Sequence, residues 1–103
     1  AKPITASVTK APATTADDTG VITVAGGPAD KAYTVTITVR DAASGGDDVQ
    51  NVNIPKGSTA ASAAALVAAA VSDPNVTAKA VGVTVTFKPK GGSHFTKLSV
   101  LIS

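Results

Sequence analysis

Two pairs of adjacent carboxylates are the first residues of this sequence whose type and spacing could support chemistry. Asp17 lies beside Asp18, and Asp47 lies beside Asp48 in a glycine-rich segment. Carboxylate oxygens in a loop could bind Ca²⁺, but a calcium loop needs ligands at alternating positions, and that spacing is missing here. We therefore interpret these residues as solvated turn residues, and the sequence predicts no metal site and no cofactor.

A serine and a histidine form the next candidate. Ser93 precedes His94, the one histidine of the chain, in a predicted turn. Catalysis by such a pair needs an orienting acid and a defined geometry between nucleophile and base, and the sequence around them offers neither. No catalytic residue is predicted, and we expect a protein that is not an enzyme.

Basic residues cluster around the same turn, in the segment KPKGGSHFTK. Its lysines are Lys88, Lys90 and Lys97. The G-x-x-x-x-G-K-[ST] spacing of a phosphate-binding loop is absent. A solvated hairpin tip is the simple interpretation. The alternative is an electrostatic contact with Asp47 and Asp48 of another copy, which would give a head-to-tail interface between subunits.

Composition narrows the classes of protein further. The chain has 103 residues, a net charge of +2, no cysteine and three aromatic residues. This charge and aromatic content argue against a nucleic-acid partner, and no apolar run reaches the roughly 20 residues that a membrane span needs. Without cysteine there is no disulfide framework. The length predicts one domain with a single modest core.

Strict alternation of apolar and polar residues predicts strands along most of the chain. The segment AYTVTITVR is the clearest case, with Tyr33, Val35, Ile37 and Val39 on one face and threonine on the other. Six strands are predicted in all, at 21–25, 32–40, 49–54, 76–80, 83–88 and 95–102. The other residues expected to face inward are Val52, Ile54, Val83, Val85, Phe87, Leu98, Val100 and Ile102.

An alanine-rich helix is predicted at 59–72, between the third and fourth of these strands. Ser58 or Thr59 can serve as its N-cap, and alanine is the best helix former. The i, i+3, i+4 spacing indicates an apolar stripe of Ala63, Leu66, Val67, Ala70 and Val71. Its small side chains would let the helix axis approach a sheet that supplies the bulk. The fold class expected is therefore α+β, a mostly antiparallel, sandwich-like β domain with one helix packed on the sheet.

The first 20 residues have a different composition from the rest. They mix proline, threonine and alanine, with Ile4 and Val8 as the only large apolar residues. We interpret 1–20 as an extended N-terminal arm, either disordered or ordered on a neighbouring subunit through these two anchors. Residues 21–103 would then form the single β-rich structural domain.

The threonine faces of the predicted strands are the candidate contact surfaces. Thr34, Thr36 and Thr38 lie on one strand, and Thr84 and Thr86 on another. A solvated sheet face is one interpretation. Exposed sheets usually carry Lys or Glu against unwanted association, however, and this chain contains no Glu. Burial between subunits is the alternative.

Several motifs resemble a module that recurs in structural proteins of tailed bacteriophages. These are "YTVTITV", then "IPKGSTAASAAALVAAAVSDPNVTAKAVGVTVTFKPKGG", then "FTKLSV". The resemblance covers roughly residues 31–103 and implies a non-enzymatic building block of a virion, synthesised in the bacterial host cytoplasm. It implies as partners other copies of the chain and other virion proteins, such as major capsid or tail proteins.

We expect a capsid decoration (cement) protein, because the chain is similar to free-standing virion proteins of this size. A tail tube subunit that assembles into stacked rings is the first alternative. A carbohydrate-binding or adhesin-type β module is the second, although all three aromatic residues are predicted to face inward. No nucleic-acid or membrane partner is expected.

Overall fold

Alternating residues form strands along most of the chain, as the sequence predicts. The computed structural model describes residues 3–11, 18–41, 47–71, 76–89 and 94–103. Within these ranges the elements are β1 (Ile4–Lys10), β2 (Gly20–Gly26), β3 (Tyr33–Asp41), β4 (Asp47–Ile54), α1 (Ala60–Ala70), β5 (Val76–Val81), β6 (Thr84–Pro89) and β7 (Phe95–Ile102).

The strands form two sheets. One has four strands in the order β1-β2-β6-β5, and the other has three in the order β4-β3-β7. Every pair of neighbouring strands is antiparallel. One cluster of buried apolar side chains includes residues of both sheets and of the helix. Across the ranges given above, the predicted mostly antiparallel β architecture with one helix is therefore confirmed.

The inward rows match the alternation read from the sequence. On β3 the side chains of Tyr33, Val35, Ile37 and Val39 are buried. Val52, Ile54, Val85 and Phe87 are buried as predicted, whereas Leu98, Val100 and Ile102 are only half-buried. The prediction for Val83 is wrong, because this residue lies in the turn between β5 and β6, where the chain reverses and its side chain is exposed.

Helix α1 begins after Thr59, whose hydroxyl accepts a hydrogen bond from the Ser62 N–H at 3.1 Å. It ends at Ala70, so it is shorter than the predicted 59–72. The helix contacts β2, β5 and β6 of the larger sheet and β4 of the smaller one. It therefore packs at the side of the sandwich where β4 and β5 are the outer strands.

The face that α1 buries differs in part from the predicted stripe. Ala63, Ala64 and Val67 are buried, but Leu66 is 37% exposed. An alanine-rich helix has nearly equal hydrophobicity on all sides, so the sheets decide its rotation. Alanine at position 64 lets the helix approach closely, and leucine at 66 turns toward solvent.

The expectation that 1–20 is an arm outside the core is wrong for residues 4–10. Ile4–Lys10 is strand β1, paired with β2, and Ile4 is 1% exposed. Gly26 allows this pairing because it has φ +86° and a Cβ added there would lie 2.1 Å from the Pro3 carbonyl oxygen. Residues 1–2 and 12–17 of the predicted arm lie outside the described residues.

Candidate interaction surface

The register of the three-stranded sheet places an uncharged surface on its outer side. Thr34, Thr36 and Thr38 of β3 form its centre, with cross-strand neighbours on β4 and β7. The three rows across the sheet are Asn53–Thr34–Ser103, Asn51–Thr36–Leu101 and Val49–Thr38–Ser99. We call these nine residues the threonine face, and none of their side chains carries a charge.

Two large apolar side chains are exposed on the threonine face. Leu101 is 67% exposed and Val49 is 50% exposed. Beside them the Thr36 hydroxyl donates to the Asn51 side-chain oxygen at 2.8 Å. Because this hydroxyl and this amide already hydrogen-bond to each other, they lose fewer hydrogen bonds to water when a partner covers them. The desolvation cost of covering them is therefore lower. Exposed apolar side chains favour such covering.

A row of charged residues bounds the threonine face at one end. Asp47, Arg40 and Lys97 are register neighbours across the sheet. The Arg40 Nε lies 2.8 Å from one Asp47 carboxylate oxygen, and the Lys97 Nζ lies 3.9 Å from the other. Two residues predicted to pair between copies, Asp47 and Lys97, are thus placed together within one chain. Asp48 accepts a hydrogen bond from the Gln50 amide at 2.9 Å.

Unlike the threonine face, the outer side of the four-stranded sheet carries charged side chains. Thr84 and Thr86 are half-buried there, but Lys79 is the register neighbour of Thr86. Lys88 follows two residues later on the same side of β6 and is exposed. Covering this side with a neutral surface would take the lysine charges out of water, which costs free energy. Lys90, the remaining predicted contact, lies outside the described residues.

The two apolar anchors predicted for the N-terminal segment face the interior. Ile4 belongs to the core, and Val8 is half-buried against it. Their side chains contribute to the domain's own packing. The strand was detectable, because Ile4, Ala6 and Val8 alternate with polar residues along β1.

A tyrosine and an aspartate form a pair that the sequence interpretation missed. The Tyr33 hydroxyl donates a hydrogen bond to the Asp30 carboxylate, and the Lys31 Nζ lies 5.3 Å from the centre of the Tyr33 ring. The hydrogen bond lowers the pKa of Asp30 and raises the pKa of Tyr33. The three-residue spacing in D-K-A-Y was the available signal. The pair anchors the segment that leads into β3.

The part of the chain that the structure describes contains no group of three or more His, Asp or Glu side chains that could hold a metal ion. No helix in it is long and apolar enough to cross a membrane. His94 is half-buried just before β7, and Ser93 lies outside the described residues. The three aromatic side chains, Tyr33, Phe87 and Phe95, are all buried.

Comparison with known proteins gives no assignment. No protein-family model, no curated protein and no solved structure matches this chain.

Proposed function

We propose that this protein is a non-enzymatic structural subunit of a tailed-phage virion, a capsid decoration protein that reinforces the shell through contacts between subunits. The virion assignment rests on the resemblance of residues 31–103 to tailed-phage structural modules. The threonine face is the observation that supports a role in assembly. Its partners would be other copies of the chain and the major capsid protein.

The chemistry of the threonine face favours a protein partner. A sheet face that remains in water usually carries charged residues, which resist association. Here the charges are confined to the row Asp47, Arg40 and Lys97, which is largely paired within the chain. The exposed Leu101 and Val49 supply apolar area. Covering this face therefore removes apolar surface from water without burying an unpaired charge.

Burial of the aromatic side chains disfavours the carbohydrate-binding alternative. Sugar recognition usually presents an exposed aromatic ring, and Tyr33, Phe87 and Phe95 are enclosed in the core. A tail tube subunit would use the same threonine face, since a tube also forms by lateral contact. The two virion roles differ in where the protein lies on the particle.

Immunogold electron microscopy of purified phage particles separates these roles. Label on the shell is the expected result, and label along the tail would replace decoration by the tail tube alternative. Particles that carry no label, from a lysate that contains the protein, would refute the virion assignment.

A pair of matched variants tests the surface itself. Thr36→Lys places a charge at the centre of the threonine face, and Thr84→Lys places one on the outer side of the other sheet. Both threonines are half-buried, and each hydroxyl donates one hydrogen bond of 2.8 Å. We expect Thr36→Lys to abolish incorporation into particles while Thr84→Lys retains it. Equal incorporation of both variants would exclude the threonine face as the contact.

A further inference from the structure

Strand β7 is an edge strand whose outer side has no hydrogen-bonded partner strand in the part of the chain that the structure describes. It has β3 as its one sheet neighbour among the described residues. Natural edges carry prolines, inward-pointing charges or a covering element. The opposite edge of the same sheet, β4, has Asp48 and Gln50 at inward positions and contacts helix α1. Strand β7 contacts β1 of the larger sheet, but no hydrogen-bond ladder joins these two strands. Strand β7 has no proline, and Lys97 is its one charged residue.

The hydrogen-bond pattern shows which groups β7 directs away from β3. Thr34 and Ser103 exchange two main-chain hydrogen bonds, of 2.9 and 3.0 Å. In an antiparallel ladder such pairs recur at every second residue, so the odd-numbered residues from 97 to 103 bond to β3. Leu98, Val100 and Ile102 therefore direct their N–H and C=O groups to the free edge.

The side chains of these same three residues form an incomplete inward row. Leu98, Val100 and Ile102 are half-buried, whereas their register partners on β3 are buried. The difference arises because no strand pairs with β7 on its other side, although β1 of the larger sheet contacts it. One more strand beside β7 would complete both the hydrogen bonding and the burial of this row.

We propose that β7 pairs antiparallel with β7 of a second copy, about a two-fold axis at Val100, to give a continuous six-stranded sheet. In this register Leu98 lies opposite Ile102 of the second copy, and Val100 lies opposite its own equivalent. The inward row is thus apolar on both sides of the axis. Three residue pairs would each exchange two main-chain hydrogen bonds.

The charges of β7 are compatible with this pairing. Lys97 lies opposite Ser103 of the second copy, and the two Lys97 side chains are six residues apart along the ladder, about 20 Å. Leu101 lies opposite Ser99 of the second copy, where its exposed side chain is partly covered. No like charges therefore lie opposite each other in this pairing. The pairing does not depend on the virion assignment.

Sedimentation equilibrium of the purified full chain tests the pairing. We expect a species of twice the 10.0 kDa chain mass. Leu101→Lys would place two like charges at diagonal positions across the axis and raise the dissociation constant of the dimer about tenfold or more. Because Leu101 is exposed, the monomer should fold normally. Val81→Lys is the matched control, since Val81 is 61% exposed on β5, which lies in the other sheet.

A second variant acts through the backbone. Val100→Pro removes an N–H that points to the free edge and spares those that bond to β3, so the dimer should be lost while circular dichroism remains that of a β protein. A monomeric wild-type protein at every concentration would overturn the proposal, as would a dimer that is unaffected by Leu101→Lys or equally weakened by Val81→Lys.

Cysteine cross-linking can determine the register between the two β7 strands, because the chain contains no cysteine of its own. A mixture of Ser99→Cys and Leu101→Cys chains should form a mixed disulfide-linked dimer on oxidation, since these residues are opposite each other about Val100. Efficient cross-linking of Ser99→Cys with itself would place the axis at Ser99 and overturn the proposed register.

Discussion

Replacement of Gly26 by alanine should detach the beginning of β1 from the sheet. Gly26 has φ +86°, and its Cβ would lie 2.1 Å from the carbonyl oxygen of Pro3. The obstructing atom belongs to the main chain, so it cannot move aside by a change of rotamer. The strand must shift, and Ile4, which is paired with Gly26, would leave the core.

The loss of unfolding free energy in Gly26→Ala has two contributions. A left-handed backbone conformation costs a residue with a Cβ about 1 to 2 kcal/mol. Loss of the buried Ile4 side chain adds roughly 2 to 3 kcal/mol. We therefore expect Gly26→Ala to lower the free energy of unfolding by about 3 to 5 kcal/mol, a large fraction of the stability of a small domain.

Gly82→Ala provides the matched control. Gly82 also has a positive φ, +59°, but no atom lies within 4 Å of its added Cβ. Gly82→Ala should therefore lower the free energy of unfolding only by the backbone contribution of about 1 to 2 kcal/mol. The assay is urea denaturation of both variants and the wild type, with hydrogen exchange to follow the amides of β1. If Gly26→Ala is no less stable than Gly82→Ala, or if the β1 amides stay protected, the assigned clash is wrong.

Three further perturbations test the helix and the tyrosine pair. Val67→Ala should lower the free energy of unfolding by about 2 kcal/mol because Val67 is buried. Leu66→Ala should lower it by less than about 1 kcal/mol because Leu66 is 37% exposed. Thermal denaturation of each variant measures the difference, and a larger loss for Leu66→Ala would refute the assigned helix rotation. Thr59→Ala should cost about 1 kcal/mol through loss of the N-cap, whereas Thr59→Ser should retain the wild-type melting temperature. The hydrogen bond from Tyr33 lowers the pKa of Asp30, so its stabilisation is present above the unfolded value of about 3.9 and is lost as the pH falls through the folded pKa. Asp30→Asn should therefore reduce the urea midpoint at neutral pH more than at acid pH, and a deficit that is independent of pH would contradict this linkage.

The sequence predicted the elements well where the physical signal is local. Strand β3 is a central strand with one buried face, so its alternation appears directly as Val35, Ile37 and Val39 among threonines. The N-cap Thr59 was likewise predictable, because capping depends on a side chain and the next three residues. The same local logic would have identified β1 if the small Ala6 had been counted as apolar.

Other features depend on contacts between distant parts of the chain. The rotation of α1 is set by both sheets, so helical spacing alone could not decide between Ala64 and Leu66. The threonine face includes Leu101 only because β7 pairs with β3, more than sixty residues earlier in the chain. Pairing at that separation cannot be inferred from alternation, which identifies strands but not their neighbours.

The area of the threonine face connects the proposed binding to a shell with the proposed pairing of two copies through β7. Three strands of about 4.8 Å spacing and three rows of about 6.8 Å give an area on the order of 300 Å², well below the roughly 800 Å² that each partner contributes to a standard interface. Pairing of two copies through β7 would place two threonine faces side by side in one sheet and double this area.

Binding to a shell should therefore depend on the pairing of two copies as well as on the threonine face. Val100→Pro, which lies outside the threonine face, is expected to reduce both dimerisation and incorporation into particles, whereas Thr36→Lys should reduce incorporation and leave the dimer intact. Comparison of the two variants by sedimentation and by immunogold labelling measures this dependence. A monomeric Val100→Pro protein that is still incorporated into particles at the wild-type level would show that the two surfaces act independently.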